Sequence, residues 1–136
     1  MGASATGTVS AAIESYLAGD PDDVLKEFHT DARIVGTKKN EKWDKKNKAR
    51  KQLQADMDDF EATGPFTKST VKASELKRLG DGVMLFHRAG DVTFKKRGKG
   101  GKKTFEARWT VVLKEYADGW KVRQSHFSLD EGKTWP

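Results

Sequence analysis

The chain has 136 residues, a formal net charge of +6, and 35% hydrophobic against 34% charged residues, with 7 Phe, 4 Trp and 2 Tyr to build a core. That length suits one domain, taken as residues 1–136 with a flexible start at 1–7 and a tail at 129–136. The lack of cysteine excludes disulfides, thiolate catalysis and cysteine zinc sites; no apolar run reaches bilayer length, and MGASATGTVS has no signal-peptide plan, so a cytoplasmic protein is expected.

Residues 8–18 set Val9, Ile13, Tyr16 and Leu17 on one helical stripe, with Thr8 or Ser10 as cap and Gly19 as stop. Asp20 caps a second helix, Pro21 takes its first position, and Asp22 and Asp23 suit its positive end. Val24, Leu25 and Phe28 form its buried face. His29–Thr30–Asp31 is its exit, with His29 as a surface cap, and residues 32–35 make a short strand. A basic loop follows, and Leu53, Met57 and Phe60 then recur at helical spacing, which predicts a third helix from Asn47 to Phe60. Beyond Gly64–Pro65 the period becomes that of strands, expected near 67–79, 82–95, 103–116 and 120–128. Gly80–Asp81–Gly82 and Ala117–Asp118–Gly119 read as tight hairpin turns. The Gly-Lys-Gly-Gly run at 98–101 is a longer hairpin tip and not a phosphate loop, because no helix follows it.

This order makes an α+β domain, a cone-shaped curved antiparallel sheet packed on three N-terminal helices, with a cavity between them. Both faces of the strand at 105–113 carry apolar residues, so the outer face is expected to meet a second subunit in a homodimer. The basic stretches at 38–51 and 95–103 read as solvated surface rather than a nucleic-acid site, because aromatic residues do not interleave with the charges.

Strict alternation from Trp120 puts Val122, Gln124, His126 and Ser128 on its face, an apolar row turning polar as at a pocket mouth. His126 is the candidate catalytic acid or base, or a ligand contact; the plain reading is a ring packed against a helix. An inward Arg108 needs an anion, which Glu106, Asp31, a carboxylate of the third helix or a ligand could supply. Of His87 and Arg88, adjacent on one strand, only one can face inward. Trp43 is either a lid or an anchor for its loop. Three scattered histidines give no metal spacing, and no cofactor motif is present, so neither metal nor cofactor is expected.

The segments LAGDPDDVLKEFHTDARIVG and ARWTVVLKEYADGWKVRQSHFS resemble the SnoaL-like branch of the nuclear transport factor 2-like superfamily, over about residues 8–130. The chain is similar also to the association domain of calcium/calmodulin-dependent kinases, where an Arg-x-Thr pair, here Arg108 and Thr110, sits near the pocket. The resemblance implies a cone-shaped fold, a homodimer and a pocket between helices and sheet, but no single activity. The ketosteroid isomerase mechanism does not carry over: the general base would fall on Gly36 and the oxyanion tyrosine on Ala12, with Tyr16 one turn later. The expected function is binding of a small molecule, anionic or carbonyl-bearing, by Arg108, Thr110, Gln124, His126, Ser128, Tyr16 and Trp43. The alternatives are a lyase, isomerase or hydrolase working through His126, and a non-catalytic oligomerisation or protein-interaction module.

Overall fold

Three helices lie N-terminal to a long β meander in the computed structural model, which describes residues 4–36, 42–62, 71–96 and 101–130. Residues 1–3 of the expected flexible start, residues 37–41 of the basic loop, the Gly64–Pro65 break, most of the glycine-rich tip and the last residues of the tail lie outside the described residues, while residues 4–7 of that start are the cap and first turn of a helix.

Helix α1 (Ala5–Ala18) begins a turn earlier than expected, because Ser4 caps it: its Oγ accepts from the Gly7 N–H at 3.0 Å. Thr8, freed from capping, is fully buried and donates its Oγ1 hydrogen to the Trp120 carbonyl at 2.9 Å. Val9 and Ala12 are buried, and Ile13 and Tyr16 pack on the core beside them. Gly19 ends the helix at φ 77°, a left-handed value that glycine adopts without a Cβ penalty. Helix α2 (Pro21–Lys26) has the expected cap, with Asp20 accepting from the Asp23 N–H at 3.1 Å.

Strand β1 (Phe28–Val35) starts four residues before the expected Ala32. The Val122 N–H donates to the Glu27 carbonyl at 2.9 Å, so the chain leaves α2 directly into parallel pairing, with Phe28 opposite Val122. Phe28 is therefore buried from a strand and not from a helix. His29 is no helix cap either: its ring stacks on Tyr116 at 4.5 Å, and its Nδ1 accepts from the Asp31 N–H. Strand β2 (Lys42–Trp43) is two residues of the expected loop drawn onto β1, with Trp43 opposite Ile34. Helix α3 (Lys46–Asp59) buries Ala49 and Met57 and rests Leu53 on the core. It stops before Phe60 because β3 (Phe60–Ala62) pairs with a later strand.

Strands β4 (Val71–Gly80), β5 (Val83–Lys96), β6 (Lys102–Tyr116) and β7 (Gly119–Asp130) form the expected antiparallel meander. The order is β2-β1-β7-β6-β5-β3 in one curved open sheet, with β4 also paired to β5. β4 and β3 share one edge of β5, along Val83–Gly90 and Phe94–Lys96. Gly82, at φ 68°, makes the β4–β5 turn possible. The core lies between helices and sheet: Val9, Val24, Leu25, Phe28 and Met57 meet Phe86, Val111, Leu113 and Val122.

Candidate ligand site

Which strand residues face the helices is settled by register. Leu113 pairs with Val122 and Val111 with Ser125, and all four are buried. Between the two pairs β6 advances two residues while β7 advances three, so Arg123 is an extra residue, a β-bulge. The bulge reverses the alternation of β7. Trp120 and Val122 face the helices as expected, but Ser125 and Phe127 follow them there, and Gln124, His126 and Ser128 are turned to the other, convex face. Arg123 helps hold β1 against β7 by donating to the Asp31 carbonyl.

Five expected site residues are thus gathered, but on the convex face and not on the helix-facing side of the sheet. Thr110 pairs with His126, Arg108 with Ser128, and Val112 with Gln124. On the β5 side Thr110 faces His87, whose Nδ1 lies 2.8 Å from the Thr110 Oγ1. Gln124 and His126 are exposed, while Arg108, Thr110 and Ser128 are half-buried. Trp43 stands at the sheet edge on β2, half-buried opposite Ile34. Of the seven, Tyr16 reaches the helix-facing side of the meander, where its ring meets Phe127 at 5.4 Å and Phe94 at 6.4 Å.

The helix-facing wall has its own polar groups. Trp109 donates its indole N–H to the buried Ser125 Oγ at 2.8 Å and sets its ring on Phe86 at 5.8 Å. Arg88 lies opposite Trp109 on the same face, half-buried, and burial pushes its guanidinium below the usual arginine range. Gly90 and Ala107, the next cross-strand pair, are both small and buried. Beyond them Phe94 stacks edge-on to Phe105 at 6.0 Å. An arginine, a tyrosine and a serine therefore sit in a wall of aromatic rings, with small residues between. Such a wall suits an apolar body with one acidic or carbonyl end. Arg88 was open to sequence reasoning: along β5 the set Met84, Phe86, Arg88, Gly90, Val92 and Phe94 is apolar except for Arg88, which marks the inward face. Ser125 and Phe127 carried no comparable signal, because their direction depends on the bulge.

Among the described residues no group of three His, Asp or Glu is placed to hold a metal, and no helix is long and apolar enough to cross a membrane. The expected isomerase base position is occupied by Gly36, and Ala12 is buried on α1, so neither offers a proton-transferring group.

The family model of the SnoaL-like domain matches residues 7–130. The chain belongs to the SnoaL-like family. Solved structures agree on the fold. A ketosteroid isomerase-like protein from Erwinia carotovora atroseptica superposes with a TM-score of 0.78 at 12% identity, covering 91% of this chain and 92% of that one. A protein from Xanthomonas campestris, provisionally assigned as a calcium/calmodulin dependent protein kinase II association domain, gives 0.71 at 18% identity, over 94% and 86% of the two chains. A nuclear transport factor 2-like superfamily protein from Salmonella enterica serovar Typhimurium gives 0.71 at 13%, over 94% and 89%. At these identities the likeness shows the nuclear transport factor 2-like, cystatin-like fold, and not an activity. A search of curated proteins found no match.

Proposed function

We propose that this SnoaL-like chain binds a small apolar molecule with an anionic or carbonyl end between its helices and its sheet, as a homodimer in the cytoplasm. The observation that carries the reading is the position of Arg88, a partly desolvated cation on the helix-facing side of the sheet beside Trp109. Tyr16 and Ser125 add hydroxyls to the same side, and Phe94, Phe105 and Phe127 supply apolar surface. SnoaL-like proteins commonly bind small molecules, which supports the class of function without naming the ligand. A chemical step through His126 draws no support from its exposed, convex position.

The test is a panel of planar carboxylates, ketones and neutral hydrocarbons, scored by a rise in melting temperature and then by calorimetry. A carboxylate or ketone should bind, and Arg88→Met should weaken it roughly ten- to a hundredfold, as expected for a lost hydrogen bond to a charged group. Equal affinities in the parent and Arg88→Met would remove Arg88 from the site. No stabilisation by any member of the panel would leave the oligomerisation reading standing.

A further inference from the structure

The far end of the helix-facing side, where the hairpin turns lie, has a different set of charges from the Arg88 wall. Here an open depression of about 360 Å³ is lined by Arg78, Asp81, Met84, Glu115 and Trp120, with Gly80 and Gly82 of the turn. Its volume falls at the lower end of ligand pockets. Glu115 and Trp120 are directly opposite each other across the β6–β7 hairpin, one pair before the turn. A carboxylate and an indole on one sheet face at directly paired positions stand about 5 Å apart at their Cβ atoms. The turn is fixed beneath them, because the Glu115 N–H donates to the Gly82 carbonyl at 2.8 Å.

In a chain of net charge +6, a carboxylate would be expected to find a basic neighbour. The nearby cations are committed elsewhere. Arg78 is held by the Asp81 carboxylate and the Gly80 carbonyl. Lys114 lies over the Tyr116 ring at 5.6 Å, and Lys121 donates to the Lys26 carbonyl at 3.3 Å. Among the described residues no hydrogen bond or ion pair engages the Glu115 side chain. The depression therefore combines an aromatic face, a thioether and one uncompensated negative charge.

We infer that this depression is a binding site for a small organic cation, an alkyl- or arylammonium, whose charge sits between the Glu115 carboxylate and the Trp120 indole and whose apolar part lies on Met84. The attraction is a cation–π contact joined to an exposed ion pair, both weak in water, so binding is weak and salt-sensitive. The site is independent of the Arg88 wall, which would repel the same ligand.

The experiment is a two-dimensional NMR titration that follows the four tryptophan indole N–H signals. Trp120 is assigned with Trp120→Phe, and the probes are phenethylammonium and its neutral counterpart, phenylethanol. Phenethylammonium should shift the Trp120 signal saturably. Glu115→Gln, an exposed and conservative change, should weaken it about threefold. Arg78→Gln, which removes a positive charge from the rim and frees the Asp81 carboxylate, should tighten it. The inference is overturned if phenylethanol shifts Trp120 equally, if Glu115→Gln leaves the Kd unchanged, or if Trp120 does not respond.

Discussion

The two faces of the long meander differ in how they end. The helix-facing side is an apolar row that runs from Leu113 and Val122 through Val111 to Trp109 and Phe127, broken by Ser125 and Arg88. The convex side is a grid of polar groups, His87, Thr110 and His126 beside Arg108 and Ser128, edged by Leu85 and Val112. The polar groups on the first side are few and buried or half-buried among apolar residues, where a charge is expensive and therefore selective. Those on the second side neighbour one another and reach solvent at Gln124 and His126, where a single group contributes little. Arginine alone does not distinguish the faces, since Arg88 lies on one and Arg108 on the other. The company each residue keeps does.

The sharpest way to break this comparison is to truncate neighbours on β6. Leu113 is fully buried and Val112, next to it, is half-exposed on the convex side. Leu113→Ala should destabilise by about 2–5 kcal/mol through lost burial and a cavity. Val112→Ala should cost less than about 1 kcal/mol in a monomer. Urea melts of both variants give the two numbers. Equal losses would show that the convex face is as well covered as the core.

A second contrast sets Arg88 against Arg108. Once a carboxylate ligand is found, Arg88→Met should remove about 1.5–3 kcal/mol of its binding energy. Arg108→Met, on the other face, should leave the Kd within error. Calorimetry with both variants decides it, and a larger loss at Arg108 would return the site to the convex grid.

A third asks what covers the convex side. If it carries a second copy, as proposed, light scattering should give twice the 15.2 kDa chain mass. Val112→Glu would place a charge among the apolar edge residues and should yield monomers that keep their helical circular dichroism. A parent protein that is already monomeric at micromolar concentration defeats this assignment.

Much of this architecture is legible in the residues, and the failures have one kind of cause. Gly19, Asp20–Pro21 and the two Asp-Gly turns fix where elements start and stop through local backbone preference, which sequence displays directly. The Arg123 bulge is different. One extra residue leaves no mark in composition, yet it exchanges the faces of every later position on β7, so His126 and Ser125 trade places. The early start of β1 is also invisible locally, because it depends on Val122 pairing with a backbone carbonyl 95 residues before it in the chain. The cap on α1 was within reach: Ser4 precedes the stripe as well as Thr8 does, but the burial of Thr8 against Trp120 decides between them.

The smallest effect comes from the helices, which also have two sides. Their inner sides are held by Val9, Val24, Leu25 and Met57, while on the outside Arg50 of α3 grips Asp22 of α2 at 2.6 and 3.0 Å. The hydrogen bond from Arg50, with its charge, holds the Asp22 carboxyl below its ordinary 3.8 and raises Arg50. A carboxyl whose pKa is lower folded than unfolded adds stability above the unfolded value, and that contribution is lost as pH falls through the folded value. Asp22→Asn should therefore lower the melting temperature slightly at neutral pH. The gap between parent and variant should close as the pH is taken below 3.8. The pair is solvent-exposed, so added salt at neutral pH should narrow the same gap. A gap that stays constant from neutral to acidic pH would mean that Asp22 acts at the α2 N-terminus by packing alone, and that the ion pair contributes nothing to holding α2 on α3.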